Sequence, residues 1–356
     1  MTRRHPVLPR RPVFQRRPVF QRRTVLAGAG AMLAAGTARA DESIVVGTWG
    51  GDYGNLLQQF VDKPLMAPQG IAVSQDVANN DPRRTKLLAE RGSRRGSMDV
   101  ACINNIDTFL LDRAGVLEKV EDAAVPRIGA VLPVFRKPAT APHIYSALAV
   151  VYNPDKIKTP PRSFADVLDP KYKGRASLVD IQYIYNILGV NLGVGGAMND
   201  LRPGMKALMD WKATSPRIYP SNEALAAGFQ AEETWISLMW IARGFMWKSG
   251  GIPVAWSVPD GGSVPILFEA GVPRNARGKN AAFKYLNAML DPGAQAGFAQ
   301  KMGYVPTVKD AKLPGDLGQQ IGLTDKQQEQ LHDLDYAFMQ EQQVPIVDFW
   351  EKQFKA

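Results

Sequence analysis

The sequence predicts an α/β protein with mostly parallel sheets. Short apolar runs, such as Ile44-Val45-Val46 and Tyr145 to Tyr152, alternate along the chain with segments of helical periodicity. Glycine, asparagine and aspartate stand repeatedly at the carboxyl ends of the apolar runs, where open α/β sheets bind ligands. The 45% apolar and 22% charged residues are ordinary for a globular protein, and the length suffices for two lobes.

Residues 1–40 stand apart, with nine arginines and no acidic residue. Arg22-Arg23-Thr24-Val25-Leu26 leads into a modest apolar run from Val25 to Ala35, and Ala38-Arg39-Ala40 is a small-x-small cleavage site. In that order these features read as a twin-arginine export peptide, so the mature chain is expected to begin at Asp41 and to reside in the periplasm. The hexad RPVFQR, repeated at 11–16 and 17–22, has no evident role. The full chain has 43 basic and 34 acidic residues, and removing the nine arginines leaves 34 of each. The mature chain is therefore near neutral, without a basic patch interleaved with aromatics, and no nucleic-acid partner is expected. One cysteine, Cys102, excludes an intrachain disulfide. The two remaining histidines, His143 and His332, leave little for a His/Cys metal site or a Ser/His/Asp triad. No metal or cofactor is expected.

Ile44-Val45-Val46 reads as a strand buried on both faces. Gly47, Gly50 and Gly51 then let the backbone turn tightly. Trp49, among them at the strand's exit, is either a platform for a small molecule or a plug for the core. NLLQQFVDKPLM from Asn55 reads as a helix, 71–73 as a strand and 83–91 as a second helix before the solvated loop RGSRRGS. Met98 to Ile103 is a strand in which Cys102 packs as a small apolar residue. Asn104 and Asn105, at its carboxyl end, either hydrogen-bond a ligand or cap the helix Ile106 to Ala114.

YSALAVVY (145–152) is a strong strand, and Ser163 with Asp166 three residues on caps a short helix. The strand RASLVD ends in Asp180, costly to bury unpaired. It caps the helix 181–189 or faces a cation in a cleft. Gly193-Val194-Gly195-Gly196 lacks the Lys-Ser/Thr of a phosphate loop. Met205, Leu208 and Met209 mark a buried helix face, and Ser221 starts another helix. Trp235 to Trp240 is a strand and Ile241 to Trp247 a helix, with Arg243 near its start. A strand at 254–258 precedes Pro259-Asp260-Gly261-Gly262. Asn280 caps AAFKYLNAML, Asp291-Pro292 stops it, and Gln295 to Met302 follows as a helix. The tail, 325–354, reads as two helices broken at Val344-Pro345.

WGGDY, MDVACINN, YSALAVVYNP, DPKYKGRASLVD, MWIARG, PDGG, KNAAFKYLNAMLDPGAQ and GYVPT occur in that order. The series resembles the extracellular solute-binding proteins of ABC importers, above all their spermidine/putrescine-binding branch, over nearly the whole mature chain. The resemblance implies a two-lobed periplasmic binding protein of type II, with mixed sheets flanked by helices and a ligand cleft between the lobes. Lobe one would hold 41–146 and 267–303, lobe two 147–266 and 304–356, with crossings near Leu148, Pro265 and Tyr304. Trp49, Tyr53, Asn104, Asn105, Asp180, Trp240 and Tyr304 would line the cleft. The implied partners are a small-molecule ligand and an inner-membrane permease, and the implied state is a monomer.

The chain departs from the polyamine branch, whose members place carboxylates on both sides of the cleft. Asp180 remains, but Gln182 or Tyr183 stands where an acidic partner is expected, and SVPILF is apolar. Glu269 comes just past that stretch, where alternation points it to the other face. Arg243, three residues past Trp240, resembles the arrangement in related binders of γ-aminobutyrate, and a guanidinium matches a carboxylate bidentately. An amino-acid-like or carboxylate-bearing solute is therefore expected, with a polyamine as the alternative. A surface pairing of Arg243 with Glu232 or Glu233 competes with that role. An enzyme on the same fold would use Cys102 as nucleophile, but neither histidine has an evident placement as its base. Tyr183 and Tyr185 offer phenolates to a ferric ion, yet i, i+2 residues of a helix do not face each other.

Overall fold

Ile44-Val45-Val46 lies within β1 (Glu42–Thr48), the first element of a computed structural model that describes residues 42–356. The expected export peptide and the start at Asp41 lie outside the described residues. β1 runs parallel to β2 (Ile71–Val77) on one side and to β3 (Val100–Asn104) on the other. Between β1 and β2, α1 (Asp52–Leu57) widens into a π-helix over Gln58–Met66. Pro64 has no amide hydrogen to give, and the wider turns accommodate it. α2 (Asn80–Glu90) returns the chain to β3, and α3 (Asn105–Arg113) leaves it.

β4 (Ala141–Tyr152) is buried along its whole length. It starts earlier than the apolar run alone suggests, at Ala141-Pro142-His143. β5 (Ala176–Val179), α4 (Tyr183–Gly193), α5 (Arg202–Lys212), β6 (Arg217–Tyr219), α6 (Asn222–Gln230), β7 (Ile236–Trp240), α7 (Ile241–Ser249) and β8 (Ala255–Ser257) follow. β9 (Pro265–Gly271), α8 (Lys279–Met289), α9 (Pro292–Met302) and β10 (Val305–Pro306) come next. The tail holds α10 (Leu317–Ile321), α11 (Asp325–Glu329), α12 (Tyr336–Glu341) and α13 (Gln343–Phe349), which runs into a π turn at Trp350–Phe354.

The strands lie in the order β2-β1-β3-β9-β4-β7-β5-β6, with β8 and β10 also on β4. The expectation of mostly parallel sheets holds only for the wings, β2-β1-β3 and β7-β5-β6. Between them β9 and β4 pair antiparallel to their neighbours, so the sheet is mixed. Alternation of strands and helices along the chain does not reveal which strands return in the opposite direction. β4 changes partners partway: Ala147 pairs with Pro265 on β9, and Leu148 pairs with Trp240 on β7.

Several local expectations change. α8 begins at Lys279 behind Gly278, without a side-chain cap, so Asn280 sits inside its first turn. Asp291 caps α9 instead of merely ending α8: its Oδ1 accepts from the Ala294 amide at 2.9 Å. Val344-Pro345 lies in the first turn of α13, where a missing amide hydrogen costs no bond. Leu208 is fully buried, but Met209 is 38% exposed. The Ser163–Asp166 capping box forms as read, on a 3₁₀ turn. Among the described residues no helix is long and apolar enough to cross a membrane.

Candidate functional site

The carboxyl end of β1 carries the first group of candidates. Gly51 adopts φ 64°, a positive value that favours glycine, just ahead of α1, whose first turn holds Tyr53. Trp49 stays partly exposed, whereas Tyr53 is buried. Phe268 of β9 stands opposite Asn104 of β3, and the Trp49 and Tyr53 rings meet edge-on at 5.1 Å. The Phe268 ring centroid lies 5.1 Å from those of Trp49 and Tyr304, both edge-on, and 5.9 Å from that of Tyr53. Tyr304 follows Gly303, a left-handed turn at φ 69°. Trp49, Tyr53 and Tyr304 are thus gathered around one ring. The Tyr53 hydroxyl meets His143 Nδ1 at 2.9 Å, while His143 Nε2 is buried without a partner among the described residues. Burial pushes the His143 imidazole down to about 3, so it is neutral at ordinary pH.

Arg243, on α7, reaches the same place. Burial raises the Tyr304 phenol, and the Arg243 guanidinium beside it offsets part of that rise. Arg243 does not pair with Glu232 or Glu233, which go to Lys156 and Arg217. Its Nη1 instead lies 3.9 Å from Asp52 and 3.7 Å from Glu223, beyond ordinary hydrogen-bond length. Both carboxylates are largely exposed, the Arg243 side chain is only 17% exposed, and its Nε is buried with no partner among the described residues. A guanidinium held this loosely retains capacity for an anion.

Asn105, Tyr185 and Trp240 form a second group. The Tyr185 hydroxyl donates to Asn105 Oδ1 at 3.1 Å, and Asn105 Nδ2 donates to the Tyr336 hydroxyl at 3.1 Å. The Trp240 ring meets Tyr185 edge-on at 4.6 Å. Asn104 takes the capping role: its Oδ1 accepts from the Asp107 amide at 2.9 Å. Among the described residues Asp180 caps no helix. Its carboxylate accepts from Trp350 Nε1 at 2.6 Å and pairs with Lys355 at 2.9 Å, which corrects the capping reading. Lys355 lies 175 residues downstream, beyond the reach of a local pattern.

Glu269 points away from Phe268, as strand alternation requires, and is buried against Lys137 at 3.1 Å. Phe268, Asp52 and Glu223 carry no signal that separates them from other apolar and acidic residues, so sequence reasoning passed over them. Cys102 is fully buried, and burial pushes its thiol up to about 11, so it is protonated at neutral pH. Tyr183 packs on Trp350 while Tyr185 faces Asn105, so the two phenols diverge. Among the described residues no cluster of His, Cys, Asp and Glu is arranged to hold a metal. A surface pocket of about 250 Å³ lined by Leu65, Arg127, Lys284 and Asp291 includes none of the candidates, and its Arg127 is already paired with Asp310.

Residues 66–323 match the family model of the bacterial extracellular solute-binding proteins. The chain is 24% identical over 270 residues to the spermidine/putrescine-binding periplasmic protein of Escherichia coli K12, covering 72% of this chain and 75% of that one. A solved GABA receptor superposes with a TM-score of 0.74 at 19% identity, over 88% of this chain and 98% of its own. The AgtB binding protein of A. tumefaciens R10, solved with agropinic acid, gives 0.74 at 18% identity, over 89% and 99%. At these identities the solved structures show the fold alone: the two-lobed α/β fold of periplasmic binding proteins.

Proposed function

Since this chain belongs to the bacterial extracellular solute-binding proteins, we propose that it is the substrate-binding component of an ABC importer. In this reading it works in the periplasm as a monomer, captures a small solute without catalysis and hands it to an inner-membrane permease. Lobe one comprises 41–146 and 267–303, lobe two 147–266 and 304–356, and the partner change of β4 at Ala147/Leu148 supports a crossing there. Ligand bridging the lobes favours the closed form by population shift. Trp49, Tyr53, Asn104, Asn105, Trp240, Arg243 and Tyr304 face or support the ligand.

The ligand is an amino-acid-like or carboxylate-bearing solute. Arg243 carries this reading: a mostly buried guanidinium that, among the described residues, has an unpartnered Nε and no carboxylate closer than 3.7 Å. A bidentate carboxylate supplies what those groups lack. Asp52 and Glu223, flanking the same guanidinium, take the ammonium end in place of Asp180, whose carboxylate is engaged by Lys355 and Trp350. Calorimetry of wild type, Arg243→Ala and Arg243→Lys with γ-aminobutyrate and with putrescine tests it. Truncation is expected to cost about 2–5 kcal/mol of carboxylate-ligand binding, and lysine, lacking the planar fork, to restore little of it. Tight putrescine binding that survives Arg243→Ala would establish the second reading, a polyamine ligand. That reading is favoured by the Escherichia coli relative and by the paired acids Asp52 and Glu223.

A further inference from the structure

Arg83, on α2, is 1% exposed, yet among the described residues no carboxylate lies within ion-pair distance of it. The nearby acids Asp76 and Asp107 are committed to Lys86 and Arg84. Backbone carbonyls hold its guanidinium instead: Nη1 donates to the Cys102 carbonyl at 2.7 Å and Nη2 to the Ala78 carbonyl at 2.5 Å. Nε has no partner. The stem crosses Gly47, where a Cβ would stand 3.2 Å from Arg83 Cδ and 2.6 Å from Met98 Sδ, so glycine leaves the room the arginine occupies. These contacts tie the guanidinium to the middle of β3 and the residue just past β2, with its stem against Gly47 of β1. Its carbon lies 4.9 Å from the centroid of the Trp49 ring, at cation–π distance. Burial lowers its pKa from the usual arginine value, but a guanidinium remains charged.

We propose that Arg83 is a specificity-determining residue that reads the charge of whatever touches Trp49, disfavouring a cationic group at that ring and favouring a neutral or anionic one. The inference rests on the reading that Trp49 lines the ligand site. The indole already shares its electron density with one cation. Any ligand group in contact with the ring lies within about 8 Å of the guanidinium, in surroundings of lower dielectric than water. A like charge at that range is disfavoured by about tenfold in affinity once partial screening is included.

The test removes the charge and keeps the shape, with Arg83→Met and Arg83→Gln in the mature full chain. The chain has seven tryptophans, so the Trp49 emission is taken as the difference between each protein and its Trp49→Phe counterpart. Iodide and caesium then report the local potential without any ligand. Iodide should quench Trp49 better than caesium in the wild type, and the ratio should fall about threefold in both neutral variants. In parallel, the ratio of γ-aminobutyrate to putrescine affinity should move about tenfold toward putrescine. Uniform weakening of both ligands, or an unchanged quenching ratio in folded variants, overturns the inference and leaves the site reading intact. Should neither variant fold, the wild-type ratio decides alone: caesium quenching Trp49 as well as iodide overturns it. If Trp49→Ala changes no ligand affinity, the site reading itself fails and the specificity role falls with it.

Discussion

His143 should make the protein acid-labile in a calculable way. It is fully buried on β4 against the Tyr53 hydroxyl and the Phe298 ring, and it titrates at about 3 in the folded chain, against about 6.5 in an unfolded one. Above pH 6.5 neither state binds the proton and His143 contributes no pH dependence. Below it the unfolded state is protonated while the native state is not, so stability falls as pH drops from about 6.5 toward 3. At pH 5 the loss is about 2 kcal/mol, and it levels off at about 5 kcal/mol below pH 3. The Asp62 and Asp107 carboxyls act in the opposite sense, because burial raises both and the native state then takes up protons more readily. They are common to wild type and variant and cancel in the comparison. His143→Asn keeps an acceptor for Tyr53 but opens a small void, costing about 1–2 kcal/mol at pH 7.5. Urea denaturation followed by circular dichroism at pH 7.5 and pH 5.0 gives both numbers. Wild type should lose about 2 kcal/mol more than the variant over that interval. Equal losses would show that His143 is hydrated or protonated in the folded chain, and the reasoning would fail.

Trp49→Ala should weaken ligand binding by about 1–3 kcal/mol, and unchanged affinity in calorimetry would make Trp49 a plug of the core. Asp180→Asn should lower the melting temperature by a few degrees through loss of about 1 kcal/mol at Lys355 and Trp350, with γ-aminobutyrate affinity preserved; a large drop in affinity would return Asp180 to the site. Cys102, buried and protonated, should resist iodoacetamide at pH 8 in the native protein and react only on unfolding, as mass spectrometry would reveal. Periplasmic material should begin at Asp41 on N-terminal sequencing; recovery of residues 1–40 would refute the export peptide.

What could be read from the residues follows the range of the forces involved. β1, β3 and β7 were legible because continuous apolar runs belong to strands buried on both faces. β6, at three residues, is too short to show a period. The opening of β4 at Ala-Pro-His looks nothing like a strand, and its burial is decided by β9, more than a hundred residues away. The same limit applies to the site. Asn104 was readable as a cap because its partner Asp107 is three residues off. Asp180 was not, because Lys355 and Trp350 arrive from the far end of the chain. Phe268 joins Trp49, Tyr53 and Tyr304 only through the antiparallel return of β9, which leaves no mark on local composition.

That return also governs when the molecule can be assembled during synthesis. β1, β2 and β3 are among the first residues to leave the ribosome, but the edge of β3 is covered only by β9, and β9 is locked against β4. α8 and α9, which bury Tyr285 and Phe298 beside these strands, come later still. Until β9 has been made, the early strands therefore present an open, apolar margin to their surroundings. The amino-terminal wing of the sheet gains its last neighbour only after β9 has been made. A ribosome stalled anywhere in the middle half would hold a sticky fragment, and a holdase chaperone would have a defined edge to guard.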